Sequence, residues 1–380
     1  MNDGIVIIGA GIAGLTSAIA FEKLGYKATL FEASSEIKAV GAGIGLAGNA
    51  IGALKVLGIE ESIISMGNQL NNFPILDQNG KLIYTVSSEK IKKKFKIENF
   101  TIHRASLHKI LLDQLRSTEI HLQKELKEIR SEDNYYRLIF KDNSEFKTKY
   151  LIGADGINSQ VRNFITPNSK IRFAGYDCWR GVIDNTFHIK NGSETWGKNG
   201  RFGIVPLANN KVYWFLCLNR KHRNAGKQSK AELMDLFKDY HYPILQIITA
   251  TSESQILYNP INDLKPQEIY TKNKILLIGD AAHATTPNLG QGACQAIEDV
   301  ATLYQLILKS DSIEESFNIF AKKRLKRTHF ITNTSWKIGK IAQFENPIAI
   351  IIRNFIFRVL PSSINNRQLE KIINDVNYDL

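Results

Sequence analysis

Hydrophobic positions along the chain fall into short blocks whose period changes from block to block. Ile5-Val6-Ile7-Ile8 is a β-branched run with no polar face, which predicts a buried strand. Gly9-Ala10-Gly11-Ile12-Ala13-Gly14 follows at once, and apolar residues then recur at helical spacing through Leu24. Gly25 stops that helix, and Ala28-Thr29-Leu30-Phe31 restores a strand that finishes on Glu32. The opening therefore predicts a βαβ unit with a glycine-rich first turn.

A second glycine-rich stretch, Gly41 to Gly48, precedes a predicted helix over Asn49 to Leu57. Arg104 opens another helix with apolar Leu107, Ile110, Leu111 and Leu115, and period-two strands fill Glu119 to Tyr150. Tyr150-Leu151-Ile152-Gly153-Ala154 and Ile275-Leu276-Leu277-Ile278 repeat the buried-strand texture, running into Asp155-Gly156 and Gly279-Asp280. Between them, Ile171 to Tyr258 is aromatic-rich strand with one helix near Ala231 to Tyr240. The predicted class is α/β: a Rossmann-like nucleotide domain over 1–70, 101–168 and 270–345, and a β-rich substrate domain over 71–100 and 169–269. Residues 346–380 form a C-terminal helical tail.

With 43% hydrophobic and 23% charged residues, the chain has the composition of an ordinary globular protein, and its 380 residues suffice for two interlocked domains. The start has no basic n-region or apolar h-region, so a secreted product is not expected. Cys178, Cys217 and Cys294 are far apart and without metal-ligand spacing, which fits core residues in a reducing cytoplasm and no metal site. The net charge of +12 favours anionic partners. Its densest runs, Lys90 to Lys96 and Lys322 to Arg327, come without a nucleic-acid-binding motif, so nucleic acid is not an expected partner.

The glycines carry the first chemistry. At Gly9 a glycine permits the tight turn, at Gly11 it lets backbone approach a pyrophosphate, and at Gly14 it allows close packing of helix on strand. The helix that follows, beginning around Ala13, presents free N–H groups to the anion. Glu32, at the end of the second strand, is placed to bind a ribose hydroxyl, and an acid there argues against a 2′-phosphate. This much fits FAD and NAD equally.

The later motifs separate them. Asp155-Gly156 leads to Asn158-Ser159-Gln160-Val161-Arg162, and Gly279-Asp280-Ala281-Ala282-His283 leads through Pro287 to Gly290-Gln291-Gly292-Ala293. In this order the chain resembles the class A, single-component FAD-dependent aromatic monooxygenases, whose fold is that of p-hydroxybenzoate hydroxylase. The resemblance implies that Asp280 binds the ribityl chain of FAD and that backbone from Gly290 to Ala293 faces the flavin. It further implies that Arg104 contacts phosphate or ribityl, the alternative being an exposed helix-start arginine. Gly43 and Leu126 join the implied cofactor contacts, with Asp155, Gly156 and Arg162 shaping the cofactor and pyridine-nucleotide face. His283 is implied to be structural, whereas Gln291 and Asn288 flank the flavin-proximal turn and would touch substrate.

Since there is one dinucleotide fingerprint, NAD(P)H would visit transiently; the resemblance implies that O2 reacts at flavin C4a and that the resulting hydroperoxide hydroxylates an electron-rich ring. Glu36-Ile37-Lys38, Val40-Gly41, Ala174-Gly175-Tyr176 and Thr285 to Gly292 are similar to the urate hydroxylase branch, with salicylate hydroxylases and zeaxanthin epoxidase-like enzymes nearby. By position, Arg201 would bind an anionic or carbonyl-bearing ring and Tyr213 would orient it. Asn288 stands where that branch has aspartate, and an amide lacks the charge and proton affinity of a carboxylate, which points away from urate. A flavin dehydrogenase or reductase, or a non-catalytic flavin binder, is the competing reading. Monomer and homodimer both remain open. In the tail, Ile348, Ile352, Phe355 and Val359 share a helical stripe, read either as a lid packed on the flavin domain or as an interfacial membrane contact.

Overall fold

The computed structural model describes residues 4–37, 42–70, 72–87, 99–220, 227–360 and 370–373. Lys38, Val40, Gly41 and the basic run Lys90 to Lys96 lie outside them, as does most of the tail beyond Leu360.

Ile5–Ile8, Ala28–Phe31, Tyr150–Gly153 and Ile275–Leu277 are strands buried on both faces, as unbroken apolar runs require. They form the centre of a six-stranded sheet ordered Thr271–Lys272, Ile275–Leu277, Tyr150–Gly153, Ile5–Ile8, Ala28–Phe31, Glu119–His121. All neighbours are parallel except the Thr271–Lys272 edge. Helices Ile12–Lys23 and Gly292–Leu308 pack against each other and join one core with this sheet. Strands Leu126–Glu132, Tyr135–Phe140 and Glu145–Thr148 form a separate antiparallel meander.

A second, seven-stranded sheet runs Leu257–Leu264, Ile171–Asp184, Lys211–Asn219, Gly200–Leu207, Ser193–Gly197, Asn72–Asp77, Leu82–Ser87. Its own core includes Trp179, Phe202, Trp214 and Phe237. The helix expected near Ala231 to Tyr240 is Lys230–Phe237, closed at its start by a Ser229–Glu232 capping box. A further helix, Ile244–Ala250, follows where the sequence suggested strand; its Ile244, Ile247 and Ile248 fill the same core at helical spacing. Cys178, Cys217 and Cys294 are buried free thiols.

The long helix Ile313–Ala342 packs against Gly292–Leu308 and Pro287–Leu289 and is followed by helix Pro347–Val359. That last helix packs on Leu82–Ser87 of the seven-stranded sheet, not on the six-stranded one, so the expected lid over the nucleotide domain is corrected. Phe357 stacks on Tyr84 at 5.1 Å and meets Trp196 edge-on at 5.7 Å, which fixes the placement.

Candidate active site

Each of the three leading glycines has its own reason to be glycine. Gly9 has φ +100°, and a Cβ there would lie 2.5 Å from the Ala154 carbonyl oxygen. A Cβ on Gly14 would lie 1.8 Å from the Gly9 oxygen, so loop and helix touch backbone to backbone. Gly11 meets nothing within 4 Å: its open side faces space in front of the helix start. Gly11 is also the N-cap of helix Ile12–Lys23 and caps it with no side chain, which leaves the first N–H groups, Ala13 among them, for an anion. Glu32 sits beside this turn, its carboxylate accepting from Ala10 N at 2.7 Å and Ser34 N at 2.9 Å. Lys124 donates its N–H to the Glu32 carbonyl, which brings the start of the Leu126 strand alongside.

The second and third motifs converge on the same end of the sheet. Gly279 takes φ +57°, and a Cβ on it would press to 2.9 Å from Ala13 and 3.3 Å from Ala296, one on each packed helix. Asp280 comes next, exposed, and Gly292 at the head of helix Gly292–Leu308 lies close to its Oδ1. That helix too has no side-chain cap, so N–H groups of Gly292 and Ala293 point outward from its start, and Gly290 turns into it with φ +62°. Arg104, exposed at the head of Arg104–Asp113, feels Asp280, Arg180 and Tyr213 electrostatically. Two open helix ends, an arginine and an acid thus surround one cleft, a donor set suited to a pyrophosphate and a polyol chain.

Some expected cofactor residues do other work. Asp155 accepts from Ser159 Oγ at 2.5 Å and from the N–H groups of Gln160 and Val161, capping helix Gln160–Ile165. Burial raises its carboxyl above the ordinary range, against the pull of these bonds. Gly156 makes the preceding turn with φ +74°. Arg162 is buried and donates to Ser169 Oγ and to the carbonyls of Ile157 and Ala281, pinning the Asp155 loop to the Asp280 segment. His283 is held by Asp299 at 2.6 Å, and Asp299 also accepts from Gly279 N at 2.8 Å.

Gln291 is held by partners within the protein. Its side chain is buried against Asn49 and Gln295, accepting from both at 3.1 and 3.0 Å. Asn49, which the sequence reading passed over, also donates to Glu298 at 2.8 Å. An amide amid apolar positions of a buried helix was the available signal.

Arg201 and Asn288 come together, while Tyr213 stands apart. Arg201 is 3% exposed; Nε donates to Gln343, Nη1 to Glu194 at 3.0 Å and Nη2 to Asn288 at 2.7 Å. The charge of Arg201 is thus already matched by Glu194 within the protein. Asn288 accepts from Tyr176 as well, and donates to Thr286 and to the Ser335 carbonyl. Beside them opens a cavity of about 210 Å³ whose wall includes Tyr176, Asn219, Asn288, Trp336, Lys340 and Gln343. Tyr213 lies instead against Gly43, where a Cβ would sit 2.6 Å from its ring, and burial pushes its phenol up so that it stays neutral. Gly43 is thus the packing surface for Tyr213, at the edge of the cleft near Arg104.

Residues 3–310 match the FAD binding domain family. The chain belongs to that family. Within it, the chain is 31% identical over 361 residues to aurachin C monooxygenase/isomerase of Stigmatella aurantiaca, covering 94% of each. It is 29% identical over 379 residues to 2-heptyl-3-hydroxy-4(1H)-quinolone synthase of Pseudomonas aeruginosa, covering 98% of each. Among solved structures, HpxO of Klebsiella pneumoniae complexed with FAD and uric acid superposes with a TM-score of 0.88 at 23% identity, covering 97% of this chain and 96% of that one. The resemblance to FAD-dependent aromatic monooxygenases is thereby upheld, and with it the p-hydroxybenzoate hydroxylase-like fold.

Proposed function

We propose that this FAD-binding protein is an NAD(P)H-consuming monooxygenase that places one oxygen atom from O2 on an uncharged nitrogen heterocycle of the 4-quinolone kind. FAD, when bound, takes hydride from NAD(P)H, activates O2 and delivers the oxygen atom. The cleft between Gly11, Arg104, Asp280 and Gly292 would hold the cofactor, with Glu32 and the Leu126 strand flanking its adenosine end.

The observation that carries the substrate reading is the charge balance at the cavity. Arg201 is matched by Glu194, and the wall is made mostly of neutral polar groups, the amides of Asn288, Asn219 and Gln343 and the phenol of Tyr176, with Lys340 at 5.4 Å over the Trp336 ring as its cation. Such a set of amides and a phenol suits a ring bearing carbonyl and N–H groups. The relative matched over 98% of both chains is named for a 2-heptyl-3-hydroxy-4(1H)-quinolone, which supports the same class. Arg201 acts here as a positioning residue through Asn288, and Tyr213 orients what lies in the cleft. Every strand of the seven-stranded sheet comes from 71–100 or 169–269, which supports assigning those segments to substrate and 1–70, 101–168 and 270–345 to FAD.

The test is NADH and NADPH oxidation by the FAD-loaded protein over 2-alkyl-4-quinolones, hydroxybenzoates, hydroxypyridines and purines, with products weighed for one added oxygen. A quinolone should give both cofactor oxidation and an oxygenated product. Cofactor oxidation with no oxygenated product across the panel would favour the dehydrogenase or reductase reading. A hydroxybenzoate as the best substrate would overturn the neutral-ring assignment.

A further inference from the structure

Helix Pro347–Val359 is amphipathic the wrong way round for a globular protein. Ile348, Ile351, Ile352, Phe355, Ile356 and Val359 recur at i, i+3, i+4, i+7, i+8 and i+11, the stripe a helix normally buries, yet each is 46 to 68% exposed. Two of its polar residues, Arg353 and Asn354, face inward instead. Arg353, 3% exposed, donates from Nη1 to the carbonyl of Ala342 at 2.9 Å and lies 5.1 Å over the Trp196 ring. Asn354 is buried beside it and accepts from its Nε at 3.0 Å.

The helix cannot roll to hide the stripe without breaking these contacts. Arg358 adds a lock at the far end, donating to the Leu82 carbonyl at 3.0 Å and to Asp77 at 2.7 Å. Leu82 itself is 53% exposed, so the apolar face continues onto the neighbouring strand, with exposed Lys81 at its edge.

We propose that this face is a docking surface for an anionic lipid bilayer, with the helix lying in the interface. Thirteen residues make a helix of about 20 Å, too short to span a hydrocarbon core but suited to lie along it. Charge selects lipid over a second copy of the chain: at +12, two copies repel, whereas an anionic surface attracts each one. Membrane docking and substrate identity are separate properties, and vesicle flotation reads the first alone.

The full-length, FAD-loaded protein should float with vesicles of phosphatidylglycerol and phosphatidylcholine, and weakly with phosphatidylcholine alone. The double substitution Ile351→Glu with Phe355→Glu should cut flotation at least about tenfold, since it sets two carboxylates in the interface. Both side chains are exposed, so the flavin spectrum and melting temperature should match the parent; Ile348→Gln serves as a milder second variant, expected to weaken flotation. The proposal is overturned if the parent does not float, or if the double variant floats as well as the parent. It is overturned in favour of a second copy if sedimentation velocity shows a dimer that the double variant dissolves while no flotation occurs.

Discussion

Nη2 of Arg201 donates to Oδ1 of Asn288 at 2.7 Å, and that single oxygen also accepts from the Tyr176 hydroxyl at 3.0 Å. On the other side of the same amide, Nδ2 donates to Thr286 Oγ1 and to the Ser335 carbonyl, both at 2.9 Å. Four bonds therefore decide which way the amide points. Gly339 makes room for it, since a Cβ there would come within 2.3 Å of Nδ2.

From this follows the outcome of Asn288→Asp. A carboxylate keeps the two acceptor bonds but cannot donate to the Ser335 carbonyl, which would then face a negative oxygen. The substitution should cost about 1–3 kcal/mol of stability and should not confer urate turnover. Urea denaturation measures the first, and oxygen-consumption assays with urate measure the second.

Arg201 has a sharper signature, because its removal strands Glu194. Arg201→Met should destabilise by about 3–5 kcal/mol, and adding Glu194→Gln should restore a large part of that. The double variant, if folded and FAD-loaded, isolates the positioning role: substrate KM should rise as Asn288 loses its anchor. An unchanged KM would show that Arg201 does not act on the substrate side at all.

What was legible in the sequence is what the backbone demands locally. Gly9, Gly11 and Gly14 announce a turn, an open approach and a close packing because each requirement falls on one residue, and Asp155-Gly156 and Gly279-Asp280 mark strand ends in the same way. What was not legible depends on partners far along the chain. Gln291 looked available for substrate, yet its partner Asn49 lies 242 positions away, and Arg201, whose partner Glu194 is on the neighbouring strand, reaches Asn288 87 positions further on. The stripe from Ile348 to Val359 was visible in the sequence, but its outward orientation was not, because the inward pull comes from the Ala342 carbonyl and the Trp196 ring.

The glycine loop separates folding from cofactor binding. Gly14→Ala drives a methyl into the Gly9 carbonyl and should destabilise the protein even without FAD. Gly11→Ala meets no protein atom, so the apoprotein should melt as the parent does, while FAD affinity falls roughly tenfold or more, about 1.4 kcal/mol, as the methyl enters pyrophosphate space. Differential scanning fluorimetry on apoprotein and fluorescence titration with FAD tell the two apart. Equal FAD affinity in Gly11→Ala and the parent would remove the pyrophosphate from this turn.

Beneath the cleft, Arg324 bridges two buried acids, donating to Asp299 at 2.6 Å and pairing with Glu298, which Arg327 also engages. Burial alone would raise both carboxyls, but His283 and Arg324 outweigh it at Asp299, and Arg324 with Arg327 outweighs it at Glu298, so both are held below the ordinary carboxylate range. A carboxyl depressed in the folded state stabilises the fold above its unfolded value, near pH 4, and that contribution is lost as pH falls through the folded value. Arg324→Met removes the compensation, leaving these acids charged and under-paired at neutral pH, at a cost of about 3–5 kcal/mol. Protonation relieves that burden, so the stability gap between parent and variant should narrow as pH drops from 7 toward about 3. Urea titrations across that range check it: a gap that stays constant would mean that neither acid depends on Arg324 for its charge. Because Asp299 also holds Gly279 N and His283, FAD release should accompany the loss of stability at the acid end.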